Sequence, residues 1–222
     1  MPKPIAAALF DMDGVLIDNA RFHRQNWFAL AKRHGRPLTP DQYDQFINGR
    51  VAASSLPYLL GRELAADELL TMATALDSDY RQLYAPHLAP TPGLGTFLEH
   101  LKAGGIRCGV GSSAPPENID LVLDGLAIRA YFDTVVNATM IRRGKPDPEI
   151  YLTAAERLSQ LPEQCVVFED AFSGIEAGLR ANMRVVALAT THTRAELTNA
   201  GADLIIDDFN DPALLPWLAQ AC

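Results

Sequence analysis

Short apolar runs rich in β-branched residues alternate along this chain with segments whose apolar positions recur every three to four residues. The runs at 5–12 (IAAALFDM), 107–113 (RCGVGSS), 132–138 (FDTVVNA), 165–170 (CVVFED), 184–190 (RVVALAT) and 203–209 (DLIIDDF) read as strands. Most are apolar on both faces, the pattern of parallel strands covered by helices on either side. Between them GLGTFLEHLKAGG, ENIDLVLDGLA, PEIYLTAAERLSQ, SGIEAGLRAN, TRAELTNAG and DPALLPWLAQA read as amphipathic helices. This alternation predicts an α/β fold with a doubly wound parallel sheet.

The rhythm stops between Asn19 and about Ala85. That stretch holds only helical patterns, RFHRQNWFALAKRHG, TPDQYDQFING, VAASSLPYLLG and AADELLTMATALDSDYRQLY. It ends in the linker APHLAPTPG, with Pro86, Pro90 and Pro92. The expected organisation is an α/β core over 1–18 and 88–222, with an all-helical insert of roughly 65 residues over 19–87. An insert placed after the first strand is expected over the carboxyl ends of the strands, where open sheets bind ligands, and so to act as a lid.

Composition narrows the classes. The 222 residues carry 19 basic and 27 acidic side chains, a net charge of −8, which speaks against a nucleic-acid partner. No apolar stretch reaches the ~18–20 residues that span a bilayer, so no membrane partner is expected. The N-terminal MPKPIAAALFDMDG lacks the layout of a secretory signal. Cys108, Cys165 and Cys222 are far apart and form no CxxC, which reads as free thiols in a reducing, cytoplasmic setting.

The chemistry gathers at the strand ends. Asp11 and Asp13 leave the first strand together, and Gly14 permits a sharp turn there. Like charges at the rim of a core are costly unless something positive joins them. Ser112 and Ser113 end the second run, where their hydroxyls can hold a phosphate oxygen or cap the helix at PPENID. Lys145 precedes a helix in GKPDPEIY, a place where most lysines are solvated. Glu169 and Asp170 end the most apolar strand, and Ser173 with Glu176 reads as a capping box for the helix that follows. One sheet edge therefore collects four carboxylates, a lysine and one or two hydroxyls. Hard carboxylate oxygens suit Mg²⁺, and no soft or imidazole cluster points to zinc.

FDMDG, GVGSSA, GKPDPEIY and VVFEDAFSGIEAG resemble, in order, the four motifs of the haloacid dehalogenase (HAD) superfamily. The insert resembles the helical cap of that family's β-phosphoglucomutase and phosphoglycolate phosphatase branch. The resemblance implies Asp11 as the nucleophile that forms an aspartyl-phosphate and Asp13 as general acid/base. Neighbouring carboxylates would raise the pKa of Asp13 from about 3.9. It implies Ser112 and Lys145 as holders of the phosphoryl oxygens. It further implies a Mg²⁺ site of Asp11, Asp170, the backbone carbonyl of Asp13, and Glu169 directly or through water. In the cap, DNARFHRQNWFALA resembles the mutase segment. His23 and Trp27, one turn apart, are then candidate substrate contacts, with a core role for Trp27 as the alternative. Asn48 and Ala52 stand where the mutases carry a lysine and an arginine; Arg50 lies beside them.

The expectation is a Mg²⁺-dependent phosphatase acting on a small phosphorylated metabolite, a sugar phosphate, with a hexose phosphate mutase as the alternative. A hydrolytic dehalogenase has no use for Asp13, Glu169 and Asp170 around a metal. A receiver-type signalling domain is shorter, lacks the insert and needs no general acid. The expected assembly is a monomer or weak dimer.

Overall fold

The computed structural model describes residues 4–48 and 50–220. The chain forms two compact units, Met1–Asp18 with Leu88–Cys222, and Asn19–His87.

The first unit is built on six strands: β1 (Ala7–Phe10), β2 (Arg107–Gly111), β3 (Thr134–Val136), β4 (Cys165–Glu169), β5 (Arg184–Leu188) and β6 (Leu204–Ile206). They form one sheet in the order β3-β2-β1-β4-β5-β6, and every pairing is parallel. The predicted doubly wound sheet is therefore present. All six strands are shorter than the runs that predicted them. The polar ends, Asp11, Ser112, Asp170 and Thr190 among them, lie just past the strand ends at the sheet edge.

Alternation along β1 explains the two layers. Ala7 and Leu9 face a core shared with Ile150, Tyr151, Ala154, Ile175, Ala177 and Leu197. These residues belong to α7 (Glu149–Arg157), α8 (Phe172–Arg180) and α9 (Arg194–Asn199). Phe10 points the other way. It stacks on Phe168 with centroids 4.7 Å apart and meets Phe97 of α5 (Leu94–Ala103) edge-on at 6.3 Å. The remaining helices of this unit are α6 (Pro116–Gly125) and α10 (Leu214–Gln220).

The second unit holds α1 (Ala20–Arg33), α2 (Pro40–Phe46), α3 (Ala52–Leu60) and α4 (Ala66–Tyr84), close to the four predicted segments. Its core is Trp27, Leu30, Ala31, Tyr43, Ile47, Leu56, Leu59 and Leu76. Asn26 is buried within it and donates to the Leu76 carbonyl at 2.8 Å, which ties α1 to α4. Thr39 and Gln42 form a reciprocal capping box at the start of α2. No helix among the described residues is long and apolar enough to cross a membrane.

One local expectation is corrected. Ser173 and Glu176 do not cap α8, which starts at Phe172 with Ala171 as its N-cap residue. The Glu169 carboxylate takes over the turn into the helix. Its Oε2 accepts the backbone N–H groups of Asp170 at 3.0 Å and Ala171 at 3.2 Å. Ser173 is left inside the helix, and Glu176 pairs with Arg180 at 2.5 Å.

Candidate active site

The strand order doubles back at β1, which lies between β2 and β4. In open α/β sheets a crevice opens at such a switch point. The register sets Phe10 beside Val110 on one side and Phe168 on the other. Just beyond them Asp11, Ser112 and Glu169 emerge at one edge. The Asp11 N–H donates to the Phe168 carbonyl at 3.0 Å and the Ser112 N–H to the Val136 carbonyl at 3.1 Å.

Asp11, Glu169 and Asp170 form a buried acidic cluster, with one carboxylate oxygen of each within 4.8 Å of the others. Lys145 enters it from the loop before α7, a helix that packs on β1, β2 and β3. Glu149, in the first turn of α7, fixes that loop by accepting the N–H groups of Arg142 and Arg143, each at 3.0 Å. The lysine side chain is only 9% exposed, and its Nζ donates to Asp11 Oδ1 and Glu169 Oε1, each at 2.6 Å. Lys145 is thus not the solvated loop lysine that its position alone suggests.

Asp170 is seated by Gly14. That glycine has φ of +73°, and a Cβ on it would overlap the Asp170 carboxylate. The same turn is braced by Thr190, whose hydroxyl donates to the Gly14 carbonyl at 2.6 Å. Thr191 donates its hydroxyl to Asp170 Oδ2. Asp13 is half-buried in this turn and bridges to Ile17; its carboxylate is not part of the three-acid cluster. Ser112 is buried, its Oγ accepting from the Ala114 N–H at 3.1 Å, while Ser113 is exposed. Neither serine caps α6, whose N-cap residue is Pro115.

Charge in the cluster is unbalanced: three carboxylates face one ammonium. Burial raises the Asp11 carboxyl from 3.8 to about 7; Lys145 pulls it down, while Glu169 and Asp13 push it up. Asp170 is raised well above its ordinary value by burial and then by Glu169 and Asp11, against the Thr191 hydrogen bond. Burial alone would lower Lys145, but Asp11 and Glu169 outweigh it and hold the ammonium above its ordinary value. Hard oxygen donors with more negative charge than one lysine neutralises fit a divalent cation such as Mg²⁺.

This imbalance has a measurable sign. A carboxyl whose folded pKa exceeds its unfolded one loses stability as pH climbs from 3.8 towards about 7. In excess EDTA, Asp11→Asn removes that loss. Its melting temperature minus that of wild type should therefore grow over this window and level off above it. Thermal melts of both proteins across pH check this; a flat or shrinking difference contradicts the burial of an excess carboxylate.

In the helical unit, Trp27 belongs to the core, the alternative its spacing left open. His23 is half-buried, stacks on Tyr80 with centroids 4.0 Å apart, and lies 3.2 Å from the Asn19 amide. Asn48 and Arg50 are exposed, with Arg50 donating to the Gln45 carbonyl at 3.2 Å. Gly49, between them, lies outside the described residues, as does Cys222; Cys108 and Cys165 are free, buried thiols.

Three contributors escaped the sequence reading: Thr190, Thr191 and Tyr151. Thr190 ends the β5 run and Thr191 follows it, and the rule applied to the other strand ends would have flagged Thr190. Tyr151 lies on α7 and donates its hydroxyl to Glu169 Oε1 at 2.6 Å.

The haloacid dehalogenase-like hydrolase family pattern matches residues 5–182. A phosphorylated carbohydrates phosphatase of Thermotoga maritima is 34% identical over 177 residues, covering 80% of this chain and 82% of that protein. A β-phosphoglucomutase of Bacillus subtilis is 33% identical over 216 residues, covering 94% and 92% respectively. A crystal structure of an Entamoeba histolytica HAD hydrolase, family IA, variant 3, superposes with a TM-score of 0.91 at 27% identity, covering 98% of this chain and 99% of that one. The chain belongs to the haloacid dehalogenase-like hydrolases, as its four motifs implied.

Proposed function

We propose that the protein is a Mg²⁺-dependent phosphatase that hydrolyses a small phosphorylated metabolite, a sugar phosphate, through a phosphorylated Asp11. The observation that carries this reading is the Asp11 carboxylate at the switch point, buried, ion-paired to Lys145 and flanked by Asp170. An Asp11 oxygen attacks phosphorus as the bond to the leaving oxygen breaks, and Asp13 gives that oxygen its proton. Asp13 then takes a proton from the water that attacks the aspartyl-phosphate, releasing phosphate and restoring Asp11. Ser112 and Lys145 hold the phosphoryl oxygens meanwhile. Asp11, Asp170 and the Asp13 carbonyl would hold Mg²⁺, with Glu169 beside them; when bound it supplies positive charge to the transferring group. The helical unit is the cap in this reading, and its segment at Asn48 and Arg50 selects the leaving group. The buried free thiols Cys108 and Cys165 agree with a reducing, cytoplasmic setting.

The names of the relatives support both a phosphatase and a mutase. A mutase must keep a sugar bisphosphate bound while it turns, so its distal dianion needs cationic partners. Asn48 and Ala52 provide none, and Arg50 is the cation at that segment. With a hexose 1-phosphate, a hexose bisphosphate activator and Mg²⁺, phosphate release should outrun isomerisation. Coupled assays of both products decide the matter. Isomerisation at least about tenfold faster, a difference of ~1.4 kcal/mol in barrier, would reverse the assignment. Loss of that isomerisation in Arg50→Ala would identify the substitute clamp.

A further inference from the structure

The Glu169 carboxylate has about four lone-pair positions, and four donors fill them. Oε1 receives Lys145 Nζ and the Tyr151 hydroxyl, each at 2.6 Å. Oε2 receives the N–H groups of Asp170 at 3.0 Å and Ala171 at 3.2 Å. The group has no room to swing away. It is 1% exposed, and a Cβ on Gly174, in the first turn of α8, would overlap it. Tyr151 is wholly buried, and its ring lies 5.0 Å from the same ammonium.

We propose that Tyr151 is a positioning residue that, by saturating Glu169 together with the α8 turn, makes this carboxylate the anchor of Lys145 and withholds it from direct ligation of the cation. The proposal rests on the phosphatase reading above and refines its division of labour. Asp11, Asp170 and the Asp13 carbonyl serve the cation. Glu169, held by Tyr151, serves the lysine that grips phosphate. The sequence distinguishes these roles poorly, because Glu169 and Asp170 are adjacent acids at one strand end. The hydrogen-bond count separates them: Asp170 Oδ2 takes one hydroxyl, whereas Glu169 is filled on both oxygens.

Tyr151→Phe keeps the ring, its packing and its place beside Lys145, and removes only the hydroxyl. Mn²⁺ is titrated calorimetrically into the wild-type and variant proteins, and inorganic phosphate is then titrated into the Mn²⁺-loaded forms. The expected result is Mn²⁺ affinity within about threefold of wild type and phosphate affinity weakened about tenfold, the scale of losing an orienting partner. A fall of tenfold or more in Mn²⁺ affinity overturns the proposal, since it would mean that the hydroxyl orients a metal ligand. Unchanged phosphate affinity overturns it as well. The same titrations on Lys145→Gln and the double variant complete a cycle. With Lys145 gone, Tyr151→Phe should have no further effect on phosphate; additive losses would mean that the hydroxyl acts by packing, against the proposal. Wild-type protein that binds neither Mn²⁺ nor phosphate overturns the phosphatase reading itself, and this inference with it.

Discussion

Asp11→Asn should lower phosphate release by more than about 10⁴-fold, about 5.4 kcal/mol on the barrier. The amide keeps the shape of the carboxylate but is a poor nucleophile, so no aspartyl-phosphate forms. The loss should come without unfolding, because the substitution removes one carboxylate from a buried cluster that already holds more of them than one lysine balances. Steady-state phosphate release and thermal melts on the same preparation separate the two effects. Activity within about tenfold of wild type would remove Asp11 from the mechanism.

Asp170→Ala should weaken Mg²⁺ binding and activity together. Loss of a partner outside the metal's own ligands costs about 10–100-fold in affinity, so loss of a ligand oxygen should exceed about 100-fold. Asp170 is held in place by the Thr191 hydroxyl and by its seat against Gly14. Glu169→Ala should affect metal binding less, since its oxygens are already filled by Lys145, Tyr151 and two backbone donors. Calorimetric titration of Mg²⁺ and rates across Mg²⁺ concentration measure both quantities. Full activity in excess EDTA would reject a metal-dependent reaction altogether.

The strands and helices were legible because burial on two faces and a 3.6-residue period leave separate marks on a sequence. The acids at the ends of β1 and β4 were legible for a related reason: charge beside an apolar run is conspicuous. Lys145 was not legible from its loop, because nothing local says which way a lysine points. Its burial depends on a register that brings Asp11 and Glu169 together from paired strands far apart in the sequence. Tyr151 was hidden further, since it reads as one apolar position of an amphipathic helix and only its hydroxyl reaches the site. The capping box failed because Ser173 and Glu176 have the right spacing, but Glu169 had already claimed the turn. Spacing also left Trp27 ambiguous between ligand contact and core, and packing with Leu30 and Tyr43 resolved it towards core.

Gly14 and Gly174 each occupy a place where a carboxylate fills the volume a side chain would take: Asp170 at one, Glu169 at the other. Acid and glycine are therefore sterically coupled, though they lie far apart in the chain for the first pair and near each other for the second. A side chain at 14 would force the acid at 170 to move or shorten, and one at 174 would force the acid at 169 out of its present place. A descendant so changed could keep the sheet and the helices intact while losing the acidic cluster, so these two glycines mark the boundary between inheriting the fold and inheriting the proposed reaction.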